Sequence, residues 1–235
     1  MKLITFASFK GGVGKTTGLM AVASMLASRG KKIAIMDADP NAPIASWEKS
    51  GKAKGTWDPL ATVYEAQNET LFEDAYEKAT EQGCEYALVD THGGISELNQ
   101  MMLVNSDFIV VPSGVTDLDV KSTLQTMAYA IELFQAEGER IEIAILWSRF
   151  PTQKLTAAER EYHDMIENLD NIMLFETIMH KRDAFTSLGS SGMLHLSHKK
   201  LSENPKMRLK ARTFGVGVNE ADRVTLDILE TLGDA

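Results

Sequence analysis

The sequence predicts an α/β fold: a mostly parallel, twisted sheet covered by helices on both faces. Three observations lead there. Short apolar runs alternate along the chain with stretches of helical periodicity, the pattern of repeated strand–helix units. Several runs, at residues 33–37, 86–90 and 108–112, are apolar almost throughout, as strands buried on both faces must be. The first run leads straight into a glycine-rich turn, and two later ones end in aspartate. The 235 residues, 44% hydrophobic and 24% charged, suffice for one domain spanning residues 1–235 with a sizeable core.

The first strand is Leu3-Ile4-Thr5-Phe6-Ala7. Phe9-Lys10-Gly11-Gly12-Val13-Gly14-Lys15-Thr16-Thr17 follows, and residues 18–28 read as a helix with Leu19, Met20, Val22, Ala23, Leu26 and Ala27 apolar. Strand, glycine loop, Lys-Thr and helix is the P-loop arrangement. Glycines let backbone N–H groups from Gly11, Gly12, Val13 and Gly14 to Thr17 turn inward around phosphate oxygens, and the helix adds its positive end. Lys15 is expected to reach the β- and γ-phosphates of ATP, and the Thr16 hydroxyl to ligate Mg²⁺. A glycine-rich turn matching by chance would lack the flanking strand and helix.

Residues 33–37 form the next strand, ending in Asp37, with Ala38-Asp39-Pro40 after it. Ligands of such sheets bind at the carboxyl ends of strands, where both acids lie; the plainer alternative is a helix cap at a strand-to-helix turn. Residues 43–54, with Trp47, read as a short helix and polar connection, and 62–64 as a short strand. Residues 69–81 are helical, with Leu71, Phe72, Ala75, Tyr76 and Ala79 on one face. Tyr86-Ala87-Leu88-Val89-Asp90 is a strand whose terminal acid is expected to hold Mg²⁺. His92, in the loop beyond, is either a γ-phosphate sensor or a solvated loop residue.

Residues 96–105 read as a short helix with Ser96 as its cap. A central strand at 108–112, a long helix at 120–136, a strand at 141–147, an amphipathic helix at 156–169 and an edge strand at 172–175 follow. A helix is expected from about Ala184, a basic segment over 201–212, and an acidic amphipathic helix over 218–232. There is no internal repeat, low-complexity segment or linker.

The lone Cys84 excludes an internal disulfide and a four-cysteine metal site. No apolar run approaches the ~20 residues of a membrane span, and no signal peptide is visible, so the cytoplasm is the expected compartment. Net charge is −9, but Lys199, Lys200, Lys206, Arg208, Lys210 and Arg212 face only Glu203 between residues 195 and 212. That segment carries +5, leaving −14 elsewhere. It is either a solvated face or a contact for DNA phosphates.

Lys10 is a second lysine that a single-chain phosphate site does not need. Lys-Gly-Gly-x-Gly-Lys-Thr-Thr resembles the deviant Walker A motif of the ParA/MinD family of ATPases. The resemblance implies that Lys10 crosses a homodimer interface to the partner's nucleotide, so that ATP joins two copies, and that catalysis uses Lys10, Lys15 and Asp39. By position, Asp39 would orient or deprotonate the attacking water, and Asp37 would support the Mg²⁺ shell or the P-loop lysine. Arg182, in a late loop, would lie near the adenine.

With no segment before the first strand, the chain resembles the short ParA kind, whose C-terminal basic surfaces bind DNA nonspecifically in the ATP dimer. MinD-like relatives end instead in a basic membrane-binding helix, disfavoured here by the acidic C-terminus. A narrower similarity runs through Ser8-Phe9-Lys10, Asp37-Ala38-Asp39 with Pro43 and Trp47, Gly93-Gly94 with Ser96-Glu97-Leu98-Asn99, Arg182-Asp183-Ala184-Phe185 and Gly192-Met193-Leu194-His195. It is to the VirC-type ATPases of Agrobacterium virulence regions. It implies plasmid partition or conjugative or T-DNA transfer, with a DNA-binding partner protein or relaxosome component, at the nucleoid or cell pole. The rival classes are a membrane-cycling positioning ATPase and a small-molecule P-loop enzyme of the dethiobiotin synthetase type.

Overall fold

The computed structural model describes residues 1–138, 140–170 and 172–234. Seven strands, β1 Lys2–Phe6, β2 Ile33–Asp37, β3 Ala61–Glu65, β4 Tyr86–Asp90, β5 Phe108–Ser113, β6 Glu142–Trp147 and β7 Met173–Leu174, form one sheet in the order β3-β2-β4-β1-β5-β6-β7. Every pairing is parallel. The chain fills one side of β1 with β2 to β4, then crosses to the other with β5 to β7. The crevice at the carboxyl ends of the central strands is where such sheets take ligands. The register levels these ends: Phe6 pairs with Asp90, and Asp90 with Asp37.

The helices are α1 Lys15–Ser28, α2 Pro43–Lys54, α3 Glu69–Glu81, α4 Glu97–Val104, α5 Asp117–Glu137, α6 Ala157–Glu167, α7 Asp183–Thr186, α8 Leu188–Ser191, α9 Leu194–Ser202 and α10 Arg208–Thr231. Strand side chains alternate between two covers. Ile4, Phe6, Ile33, Ile35, Leu88, Phe108, Val110 and Leu146 pack under α1, α2 and the C-terminal helices. On the opposite face, Leu3, Ala34, Met36 and Val89 meet α3 and α4, while Ile109, Val111, Ile145 and Trp147 meet α5 and α6.

Polar signals set several helix ends. Ser96 accepts from the Asn99 amide, and Thr156 with Glu159 makes a reciprocal capping box. Thr116 caps α5 three residues before the expected start, because Asp117 and Asp119 suit a first turn as well as a loop. The closing helix differs more. Basic residues 208–212 and the acidic amphipathic segment are one continuous α10, since nothing between them breaks a helix; Gly215 and Gly217 are accommodated inside it.

Phe108 is fully buried at the sheet centre, with its ring 6.0 Å from that of Phe175. Phe108→Ala is expected to cost about 3–5 kcal/mol, read as a lowered midpoint in urea unfolding.

Candidate nucleotide-binding site

The carboxyl ends of β1, β2, β4 and β6 border a cleft of about 620 Å³ lined by Gly12, Lys15, Thr16, Asp39, His92 and Arg149, among others. Its floor is the glycine loop between β1 and α1. Gly12 and Gly14 have φ of 79° and 116°, a region that side chains disfavour. Gly14 also has no room for one: a Cβ there would sit 2.5 Å from Ser148 Oγ. Gly14 is the N-cap of α1 and offers no capping side chain, so the first amides of α1 and their dipole face the cleft.

Lys15 is buried; burial lowers its pKa, against the pull of Asp90 and Asp39. The Thr16 hydroxyl donates to Asp90 Oδ2 at 2.6 Å. Asp90 is 1% exposed, and its other oxygen is buried without a hydrogen-bond partner. Burial raises its pKa to about 7, opposed by the Thr16 hydrogen bond and the Lys15 charge. A hydroxyl and an unpartnered carboxylate oxygen beside a phosphate loop are the hard donors that Mg²⁺ takes, with phosphate oxygens and water completing its shell. Thr16 and Asp90 therefore fit the ion.

Asp37 does something else. Its carboxylate accepts from the amides of Ile44 at 2.9 Å, Ala45 at 3.3 Å and Asp39 at 3.3 Å. It caps the start of α2, the plainer of the two expected readings. Asp39 lies at the cleft, accepting from Asn41, with its carboxylate 3.9 Å from His92 Nδ1. The loop carrying His92 is fixed from below: the Asn99 side-chain amide donates to the carbonyls of His92 and Gly94. Asn99 entered the sequence reading only as part of the narrower similarity; its anchoring of this loop was not read, because it is a polar residue in the first turn of an ordinary-looking helix.

Lys10 is not in the cleft. Its ammonium pairs with Asp119 Oδ1 at 2.5 Å, and Asp119 also accepts from the Thr116 hydroxyl. Burial pushes the Asp119 carboxyl up, but Lys10 and Thr116 outweigh it and hold the pKa below the usual range.

Arg182 does not line the cleft either. It donates through Nε and Nη2 to Glu220 Oε1 at 2.8 and 2.6 Å, beside His180 Nδ1 at 2.8 Å. In this structure an acid in α10 holds the guanidinium expected near the adenine. Arg149, which the sequence reading passed over, stands at the cleft instead, with its guanidinium donating to the Gly12 carbonyl. Its signal was an arginine two residues beyond the apolar run of β6.

Lys199, Lys200, Lys206, Arg208, Lys210 and Arg212 are all exposed, on α9, the turn after it and the start of α10. The structure adds α2 to this patch. Lys200 Nζ donates to the Lys54 carbonyl at 2.9 Å, and Lys54 Nζ to the Ser190 carbonyl.

Phosphate loop, cis hydroxyl–carboxylate pair and crossover sheet define a P-loop ATPase of the ParA/MinD type. The model of the VirC1 protein family matches residues 1–234, and the chain belongs to that family. It is 41% identical over 232 residues to protein virC1 of Rhizobium rhizogenes, covering 99% of each chain. It is 23% identical over 241 residues to protein ParA of Rhizobium radiobacter, covering 100% of this chain and 99% of that one. Among solved structures, an ATP complex of an aspartate-to-alanine variant of Cyanothece McdA matches with a TM-score of 0.67 at 15% identity. That match covers 94% of this chain and 96% of the other, and shows the shared fold. Among the described residues, no helix is long and apolar enough to cross a membrane.

The buried Asp90 sets a pH dependence. Its folded pKa of about 7 lies above the ordinary aspartate value of 3.8, so the proton favours the folded state. That stability is fully present below about pH 4 and is lost as pH rises through 7. Without nucleotide or Mg²⁺, Asp90→Asn is therefore expected to raise Tm at pH 8 by about 2–4 °C per kcal/mol relieved. The gain should shrink towards pH 4 in parallel melting scans.

Proposed function

We propose that the chain is an ATP-driven dimer switch that binds DNA and positions it for partition or for conjugative or T-DNA transfer. The observation that carries this is the glycine loop with Thr16 and Asp90 in the cleft and a second lysine, Lys10, held outside it. Lys15 and the loop amides of Gly11 to Thr17 bind the triphosphate, and Thr16 and Asp90 would hold Mg²⁺. The bound ion would neutralise charge on the β- and γ-phosphates. Asp39 orients the attacking water at the rim.

Lys10 exchanges Asp119 for the partner's triphosphate when two copies meet over ATP. One anion replaces another, so the lysine is not stripped of its counter-charge at any stage. It then supplies positive charge where the transition state gains negative charge. A small-molecule enzyme has no use for this lysine, and the end of α10, where a membrane-binding relative would be basic, is acidic.

The DNA surface is the patch of Lys199, Lys200, Lys206, Arg208, Lys210 and Arg212, extended by Lys54. Each neutralised phosphate releases counterions, and two copies joined by ATP present two patches to one duplex, so dimerisation raises DNA affinity. The similarity to VirC1 and ParA proteins favours DNA as cargo. A DNA-binding partner protein or relaxosome component would stimulate hydrolysis, and the complex would work at the nucleoid or cell pole.

Asp39→Ala is expected to bind ATP, accumulate as a dimer in light scattering and lose phosphate release; a variant that stays monomeric with ATP removes Asp39 from this role. Replacing Lys199, Lys200, Lys206, Arg208 and Lys210 with alanine is expected to weaken DNA binding at least tenfold and flatten its salt dependence. ATP hydrolysis should remain measurable. Mobility shifts across a salt series decide this, and unchanged affinity with unchanged slope removes the patch from the interface.

A further inference from the structure

Arg149 combines three features that the fold alone does not require. First, its backbone is left-handed, with φ of 52°. Among the described residues only Ala42 shares that state without being glycine, and Ala42 is explained as the N-cap that turns α2 onto Asp37. A long side chain gains nothing locally from this conformation, which persists where surrounding structure imposes it and clusters at functional sites.

Second, the imposing structure is the phosphate loop. Ser148 donates to the Val13 carbonyl, and Arg149 to the Gly12 carbonyl. A Cβ on Gly12 would lie 3.7 Å from Arg149 Nη1, and one on Gly14 would strike Ser148. The loop and the turn after β6 are shaped to each other.

Third, three clefts meet at this side chain. One is the phosphate cleft with Lys15 and Thr16. The second holds Lys10 and Asp119, and the third, smaller, holds Met179 and Phe185. Arg149 borders all three, yet is exposed and spends its charge on a single neutral carbonyl. Asp119 already neutralises Lys10, and among the described residues Lys15 and Arg149 are the lysine and arginine that line the phosphate cleft itself.

We propose that Arg149 is a phosphate-binding residue acting within its own chain. Its guanidinium leaves the Gly12 carbonyl when nucleotide enters and forks onto phosphate oxygens of that nucleotide. The planar pair of donors suits two oxygens of one phosphate group or of neighbouring groups. The left-handed turn at 149 aims the side chain back over the loop instead of out along β6. This rests on the nucleotide-binding reading above.

The test uses the full chain with fluorescent ADP and a fluorescent non-hydrolysable ATP analogue, both with Mg²⁺. Arg149→Asn keeps a residue that tolerates the left-handed backbone and removes the charge. Both nucleotides are expected to bind about tenfold or more weakly, with a flatter salt dependence and an unchanged Tm of the free protein. Tripolyphosphate, as a competitor without base or sugar, should lose affinity in parallel, and Arg149→Lys should recover part of the loss. If the Asn variant melts early, Arg149→Gly, which adopts the conformation more readily still, takes its place.

Unchanged nucleotide affinity in the charge-free variant overturns the proposal. So does a loss confined to nucleotides with tripolyphosphate unaffected, which would assign Arg149 to base or sugar. If the unaltered chain binds neither nucleotide, the nucleotide-binding reading falls and this one with it; that result differs from binding that ignores Arg149.

Discussion

A carboxylate buried beneath a phosphate loop is the constraint on which the site depends. Asp90 ends a strand enclosed on both sides by β1 and β2 and lies under the first turn of α1. One oxygen is held by Thr16 and the other by nothing. Such a group is costly to ionise without a cation. With Mg²⁺ and a triphosphate in place, the same burial strengthens every attraction in the cleft. The cost in the free protein and the strength in the complex share one origin, and the crossover sheet is what creates it.

That coupling explains why the glycines cannot be exchanged. Gly14 serves three neighbours at once: its φ turns the loop inward, it leaves the amides of α1 free, and its missing side chain admits Ser148 from β6. A side chain there would push β6 from the loop and displace the turn that carries Arg149. The loop is therefore a joint between the first and sixth strands as well as a phosphate cradle.

The sheet was legible because strand burial on two faces writes itself as uninterrupted apolar residues, and every strand lies within a residue or two of its expected place. Asp90 and Thr16 were legible because a motif fixes them. Asp37 was not, because a strand-terminal aspartate looks the same whether it holds a metal or a helix; only the position of the Ile44 and Ala45 amides separates the two. The Arg182 ion pair was hidden for a similar reason, since its partner Glu220 lies 38 residues away in α10. Arg149 escaped notice because its meaning is conformational. A positive φ leaves no trace in the letter R, and the Gly12 carbonyl it meets is 137 residues distant in the chain. Lys54 joined the basic patch through α2 packing on α8, a contact that no local pattern encodes.

The cations around the loop follow one logic. Lys15 is buried and lines the cleft above the glycine loop. Lys10 is parked on Asp119, whose second partner, Thr116, also caps α5 and so fixes where the lysine is held. Arg149 rests on a neutral carbonyl, a weaker tether than a carboxylate. A ligand bearing several negative charges would draw on these tethers in order of strength. The carbonyl-bound guanidinium yields to nucleotide in its own chain, while the ion pair at Asp119 opens only for an anion strong and close enough to replace it. In the proposed ATP dimer, a triphosphate presented by a second subunit would meet that condition. On the proposed dimer switch, nucleotide binding and dimerisation would be separate thresholds set by two different acceptors, so one copy could load ATP before its lysine is committed across the subunits.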